Sequence, residues 1–144
     1  MHFGKGDPTL DLYGWKETGK IVDSVYRSEQ LLGKTGHTMI ITKWFPAAHL
    51  DFYVGTQTGL NTYGIGEIYD LHQYYWSNRF KQKLATGENA YYIVPSNLYD
   101  EKDLDFAKKH FKNCSAPLIL PILRNGSLCK NILIFKLKGY KKQY

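Results

Sequence analysis

The sequence is short of cysteine, of long apolar runs and, over its last quarter, of acid. Two cysteines in 144 residues are too few for a disulfide scaffold, and a chain this long buries a core without one. The longest unbroken apolar stretch is Ala116 to Leu123, with Pro117 and Pro121 inside it. A membrane-spanning helix needs about 20 such residues. Met1 runs into the polar stretch Gly4-Lys5-Gly6-Asp7, which argues against a signal peptide. Metal motifs are missing too: there is no Cys-x-x-Cys, His-x-x-x-His or His-Glu-x-x-His, so no zinc site is expected. Neither a Gly-x-Ser-x-Gly elbow nor a Walker loop occurs, and no catalytic, cofactor-binding or metal-binding residue is assigned.

Weak fragments of motifs remain. Gly64-Ile65-Gly66 begins a dinucleotide fingerprint, but Tyr69 stands where the third glycine belongs. Asp103-Leu104-Asp105 resembles the Asp-x-Asp pair that holds a metal in nucleotide-sugar transferases. Its place at a helix start makes helix-dipole complementarity the better account. The sequons at Asn113 and Asn125 are short enough to arise by chance.

The net charge is +6, and it is unevenly spread. Residues 1–105 hold 10 Lys/Arg against 13 Asp/Glu, whereas residues 106–144 hold nine Lys/Arg and no acid. Such a block faces solvent in most proteins, and otherwise phosphate in lipid headgroups or nucleic acid. Twelve tyrosines, seven phenylalanines and three tryptophans cluster between Trp44 and Phe80, as a packed core or a binding surface would require.

With no repeat or linker, residues 1–144 read as one α/β domain with a small mixed sheet of about five strands. Helical spacing runs from about Leu12 to Leu32 and stops at Gly33. His37 to Phe45 reads as a strand, Pro46 to Val54 as a helix closed by Gly55, and Asn61 to Gly66 as a second strand. Residues 67–85 are ambiguous, with Tyr69, Gln73, Trp76 and Phe80 on one helical face. Asn89 to Pro95 is a third, buried parallel strand, and residues 101–112 form an acid-to-base helix. Asn125-Gly126 sets a two-residue hairpin turn. Pairing Arg124 with Ser127 puts Ile122 against Cys129 and Cys114 level with Leu137. The cysteines then lie roughly 26 Å apart, which predicts two free thiols. Pro117 and Pro121 push their strand to a sheet edge.

Four segments carry a family resemblance. They are Asp7-Pro8-Thr9-Leu10-Asp11-Leu12-Tyr13-Gly14-Trp15, Trp44-Phe45-Pro46-Ala47-Ala48-His49-Leu50-Asp51-Phe52-Tyr53, Gln73-Tyr74-Tyr75-Trp76 and Lys136-Leu137-Lys138-Gly139-Tyr140. In this order they resemble the C-terminal region of bacterial glycosyltransferase family 39 proteins. These are dolichyl-phosphate-mannose protein mannosyltransferase-like membrane enzymes that include the lipid A aminoarabinose transferases. The resemblance spans about residues 7–140.

It implies an extracytoplasmic, periplasmic domain of a multispanning inner-membrane transferase that takes sugar from a polyprenyl-phosphate carrier. The catalytic acids of that family lie in the membrane part, so none is carried over and no cofactor is implied. Gly14, Trp15, Tyr53, Gln73 and Trp76 match the family pattern. Gly14-Trp15 would anchor the first helix, and Gln73 and Trp76 would cover the transmembrane cavity, or else form a buried aromatic clamp. Lys136, Lys138, Lys141 and Lys142 would face anionic headgroups. The implied partners are the transmembrane part of the same protein and a lipid-linked sugar or glycan acceptor, with no nucleic acid. The alternatives are a stand-alone ligand-binding domain or enzyme, with a pocket near Phe45, Gly66 and Pro95, and a basic nucleic-acid binder.

Overall fold

The computed structural model describes residues 1–33, 36–66, 68–77 and 84–141. Phe80 and Lys142 lie outside the described residues. A single 3-10 turn, Pro8–Leu10, leads into α1 (Trp15–Leu31) and β1 (Thr38–Ile41). A continuous helical segment follows: α2 (Trp44–His49), a π turn (Leu50–Gly55) and α3 (Thr56–Thr58). Then come β2 (Asn61–Gly64), α4 (Ile68–Leu71), α5 (Gln73–Ser77), β3 (Ala90–Pro95) and α6 (Glu101–Lys108). The chain ends in β4 (Phe111–Cys114), β5 (Leu118–Arg124) and β6 (Ser127–Tyr140).

These strands form one mixed sheet in the order β2-β1-β3-β6-β4, with β5 also on β6. β1 pairs in parallel with β2 and β3, and β6 pairs antiparallel with β3, β4 and β5. Every residue of β1 and β3 is buried, as expected of parallel strands covered on both faces. Met39, Ile41, Tyr91, Ile93, Ile132 and Ile134 meet α1 and the α2 segment. Their neighbours Ile40, Tyr92, Val94, Leu133 and Phe135 meet α6 on the other face. The expected mixed α/β sheet is therefore present, with six strands rather than five because residues 111–114 pair separately.

α1 buries Trp15, Thr18, Gly19, Val22, Tyr26 and Glu29, a stripe at helical spacing. It packs unusually close to the π turn: a Cβ on Gly19 would stand 2.3 Å from the Tyr53 carbonyl oxygen. The second helical segment does not stop at Gly55. Thr58 Oγ1 donates back to the Val54 carbonyl at 2.7 Å, and the chain turns left-handed only at Gly59 (φ 80°). α6 is also shorter than its charge pattern suggests. It ends at Lys108 because Phe111 is drawn into the second core cluster and pairs with Tyr140.

The hairpin turn at Asn125 (φ 52°) and Gly126 (φ 78°) has positive φ at both positions, as a type I′ turn requires. Arg124 opposes Ser127 as expected, but a bulge between Ile122 and Leu123 sets Ile122 against Lys130, not Cys129. Cys114 does lie level with Leu137, and both cysteines are free. β5 is an edge strand containing Pro121. Among the described residues no helix is long and apolar enough to cross a membrane.

Candidate functional site

β1 lies between β2 and β3, so the chain leaves it towards one neighbour and later returns on its other side. Open α/β sheets bind ligands outside the carboxyl ends of their strands at such a switch point. A crevice of about 240 Å³ opens there, lined by Thr42, Lys43 and Trp44 after β1 and by Tyr92 and Val94 of β3. Tyr69 and Asp70 of α4 and Asp103 of α6 complete it. The Lys43 ammonium lies 3.0 Å from an Asp103 carboxylate oxygen across the opening. The Trp44 ring is 42% exposed and Tyr69 86%.

Each polar group has a local cause for its position. Asp100 caps α6 by accepting from the Lys102 backbone N–H at 2.9 Å, which fixes Asp103 in the first helical turn. Burial pulls the Lys43 pKa down, but the Asp103 hydrogen bond and the charges of Asp103, Asp100 and Asp70 outweigh it, and the net shift is upward. Tyr92, buried at the crevice floor, is pushed far above the ordinary phenol value by burial, against a hydrogen bond with Thr42. The α4–α5 junction turns at His72, whose φ is 49°. Its ring lies 5.3 Å from that of Trp44, so a backbone conformation uncommon outside glycine borders the rim.

Of the three residues expected at a strand-end pocket, Phe45 lines the crevice, Gly66 lines a neighbouring groove, and Pro95 lines neither. Sequence reasoning missed Lys43, Tyr92 and Asp103 as a group. The legible signal was a lysine and an aromatic pair directly after a buried strand. Asp103 is in the helix-start position expected of it, and also in the ion pair.

The five family-pattern positions divide into two sets. Gly14 starts α1 with φ 83°, and a Cβ there would meet Ile122 Cγ2 at 2.9 Å. Trp15 is 3% exposed and donates from Nε1 to the Asp11 carbonyl at 2.7 Å. The Trp15 ring stacks on His49 at 4.8 Å, and His49 stacks in turn on Tyr53 at 6.2 Å. Beneath Trp15 lies Lys130, fully buried, its Nζ 5.3 Å from the ring and donating to the Leu10 carbonyl at 2.8 Å. Burial lowers this amine to about 8. It lowers His49 as well, with the Lys130 charge adding to the effect. Gly14, Trp15 and Tyr53 thus belong to an anchoring stack. Gln73 and Trp76 stand apart on α5; Gln73 is exposed and Trp76 is 49% exposed, while Tyr74 takes the buried place.

Lys136, Lys138 and Lys141 lie at the other end of the molecule. β6 runs against β3 with Leu137 opposite Ala90, so these lysines sit at the amino ends of the parallel strands. Lys136 is ion-paired to Glu29 of α1, and with Lys138 it lines a second cleft of about 340 Å³. Lys138 and Lys141 are exposed. The opening segment lies at the crevice end instead. Ser96 Oγ donates to the Phe3 carbonyl, and Lys5 Nζ donates to the Tyr99 carbonyl at 2.8 Å.

Among the described residues no three His, Cys, Asp or Glu side chains come together as metal ligands. Searches against known protein families, curated proteins and solved structures find no match to this chain.

Proposed function

We propose that this chain is the accessory extracytoplasmic domain of a membrane glycosyltransferase that uses a polyprenyl-phosphate-linked sugar, helping to bind or orient the acceptor. The observation that supports this reading is the placing of four of its exposed aromatic residues. Trp44 follows β1, Tyr69, Tyr75 and Trp76 follow β2, and residues 1–5 dock beside the end of β3. In this reading the membrane bundle precedes residue 1, so the aromatic end faces the bundle. Lys138 and Lys141 then point away from the bilayer, towards acceptor or solvent rather than headgroups.

Two measurements test the reading. The open reading frame should encode several long apolar segments upstream of residue 1, and a frame with none overturns it. In the full-length transferase, Gln73→Ala with Trp76→Ala should lower sugar transfer at unchanged protein level. Unchanged transfer would remove the accessory role from α5.

A stand-alone ligand-binding domain is the second reading, favoured by the crevice at the strand carboxyl ends. It predicts ligand binding by a polypeptide without a membrane part.

A further inference from the structure

We infer that the crevice after β1 and β3 binds a single uncharged sugar ring, held between the Lys43–Asp103 pair and the faces of Trp44 and Tyr69. This deepens the reading above by naming what the crevice holds, and it rests on that reading only in expecting glycans nearby.

Size is the first argument. A volume of about 240 Å³ falls below the roughly 300–1,000 Å³ of pockets for drug-sized ligands and suits one ring. The chemistry of the lining is the second. A sugar offers an apolar C–H face, which packs on aromatic rings, and hydroxyls that both donate and accept. Trp44 and Tyr69 provide exposed ring surface, and both hold it at little conformational cost. Asp103 accepts from one hydroxyl and Lys43 donates to its neighbour, a fixed donor–acceptor pair 3.0 Å apart.

Charge is the third argument, and it excludes the nearest rival. Phosphate and carboxylate ligands are held most strongly by cations that are not already paired. Among the described residues lining the crevice the one lysine already faces Asp103, with Asp100 and Asp70 close enough to act on it. A phosphorylated sugar would therefore enter with its phosphate outside the crevice. The left-handed His72 beside Trp44 adds a constrained turn at the rim, a feature that concentrates at binding sites.

Saturation-transfer difference NMR on the 144-residue chain tests this with the methyl glycosides of glucose, galactose and mannose, and with inorganic phosphate. At least one glycoside should receive saturation on its ring protons, and phosphate should not displace it. Asp103→Asn should weaken binding about tenfold, the scale of one hydrogen bond to a charged group, and Trp44→Ala should weaken it by removing a ring face. Tyr69→Ala, at a highly exposed ring that leaves folding untouched, should weaken it as well. The inference falls if no glycoside binds at millimolar concentration, if phosphate competes, or if binding survives both Trp44→Ala and Tyr69→Ala. Glycoside binding in a chain whose reading frame has no membrane bundle keeps this inference and removes the accessory-domain reading. A bundle with an inert crevice does the reverse.

Discussion

At the residue scale the most consequential side chain is Lys130, fully buried and in no ion pair with a carboxylate among the described residues. It sits in phase with Ile132 and Ile134 along β6 and so must point into the core. Its amine titrates near 10.5 in the unfolded chain and near 8 in the fold. Between those values the unfolded chain keeps a proton that the folded one has released, so stability rises with pH across that window. Tyr74 acts oppositely: burial lifts its phenol to about 12, so stability falls once the unfolded tyrosine ionises near 10. Urea midpoints should therefore climb from about pH 7 to about pH 9.5. Lys130→Met should flatten that climb, and an unaltered slope in the variant would refute the assignment. Trp15→Ala removes the ring above this lysine and should cost about 3–5 kcal/mol in the same titration.

At the scale of elements, the contact between α1 and the π turn is governed by Gly19. Gly19→Ala should destabilise by about 1–3 kcal/mol, because the methyl would meet a backbone oxygen that cannot swing away. Lys20→Ala on the exposed face should change stability by under about 0.5 kcal/mol; equal losses would contradict this packing. Elements governed by local rules were legible in the sequence: the stripe of α1, the Asn125-Gly126 turn and the continuous apolar runs of β1 and β3. Where tertiary partners decide, the sequence misled. Gly55 is an ordinary punctuation mark, yet the helix runs through it to Thr58, where the Thr56 and Thr58 hydroxyls donate to the Phe52 and Val54 carbonyls. Residues 109–112 carry a helix-like charge pattern, yet Phe111 gains more from the core below the sheet. Of the candidate site, the strand-end location was legible from element order alone. The Lys43–Asp103 pairing was not, because 60 positions separate two residues that only the sheet brings together.

On the scale of the whole molecule, the exposed lysines of the β6 end and the rings of Trp44, Tyr69, Tyr75 and Trp76 lie at opposite ends of the strand axis. The end carrying Lys138 and Lys141 should dominate adsorption to polyanions: Lys138→Glu with Lys141→Glu should elute from heparin at clearly lower salt than the parent. Lys16→Glu with Lys20→Glu should shift elution less, and equal shifts would show that net charge alone matters. The two ends stand about 20 Å apart, the length of β3 at ~3.3 Å per residue. Chain polarity is thereby turned into spatial direction. A partner at the amino ends of the parallel strands and another at their carboxyl ends can occupy the protein together without touching, with its most deeply buried strands held between them.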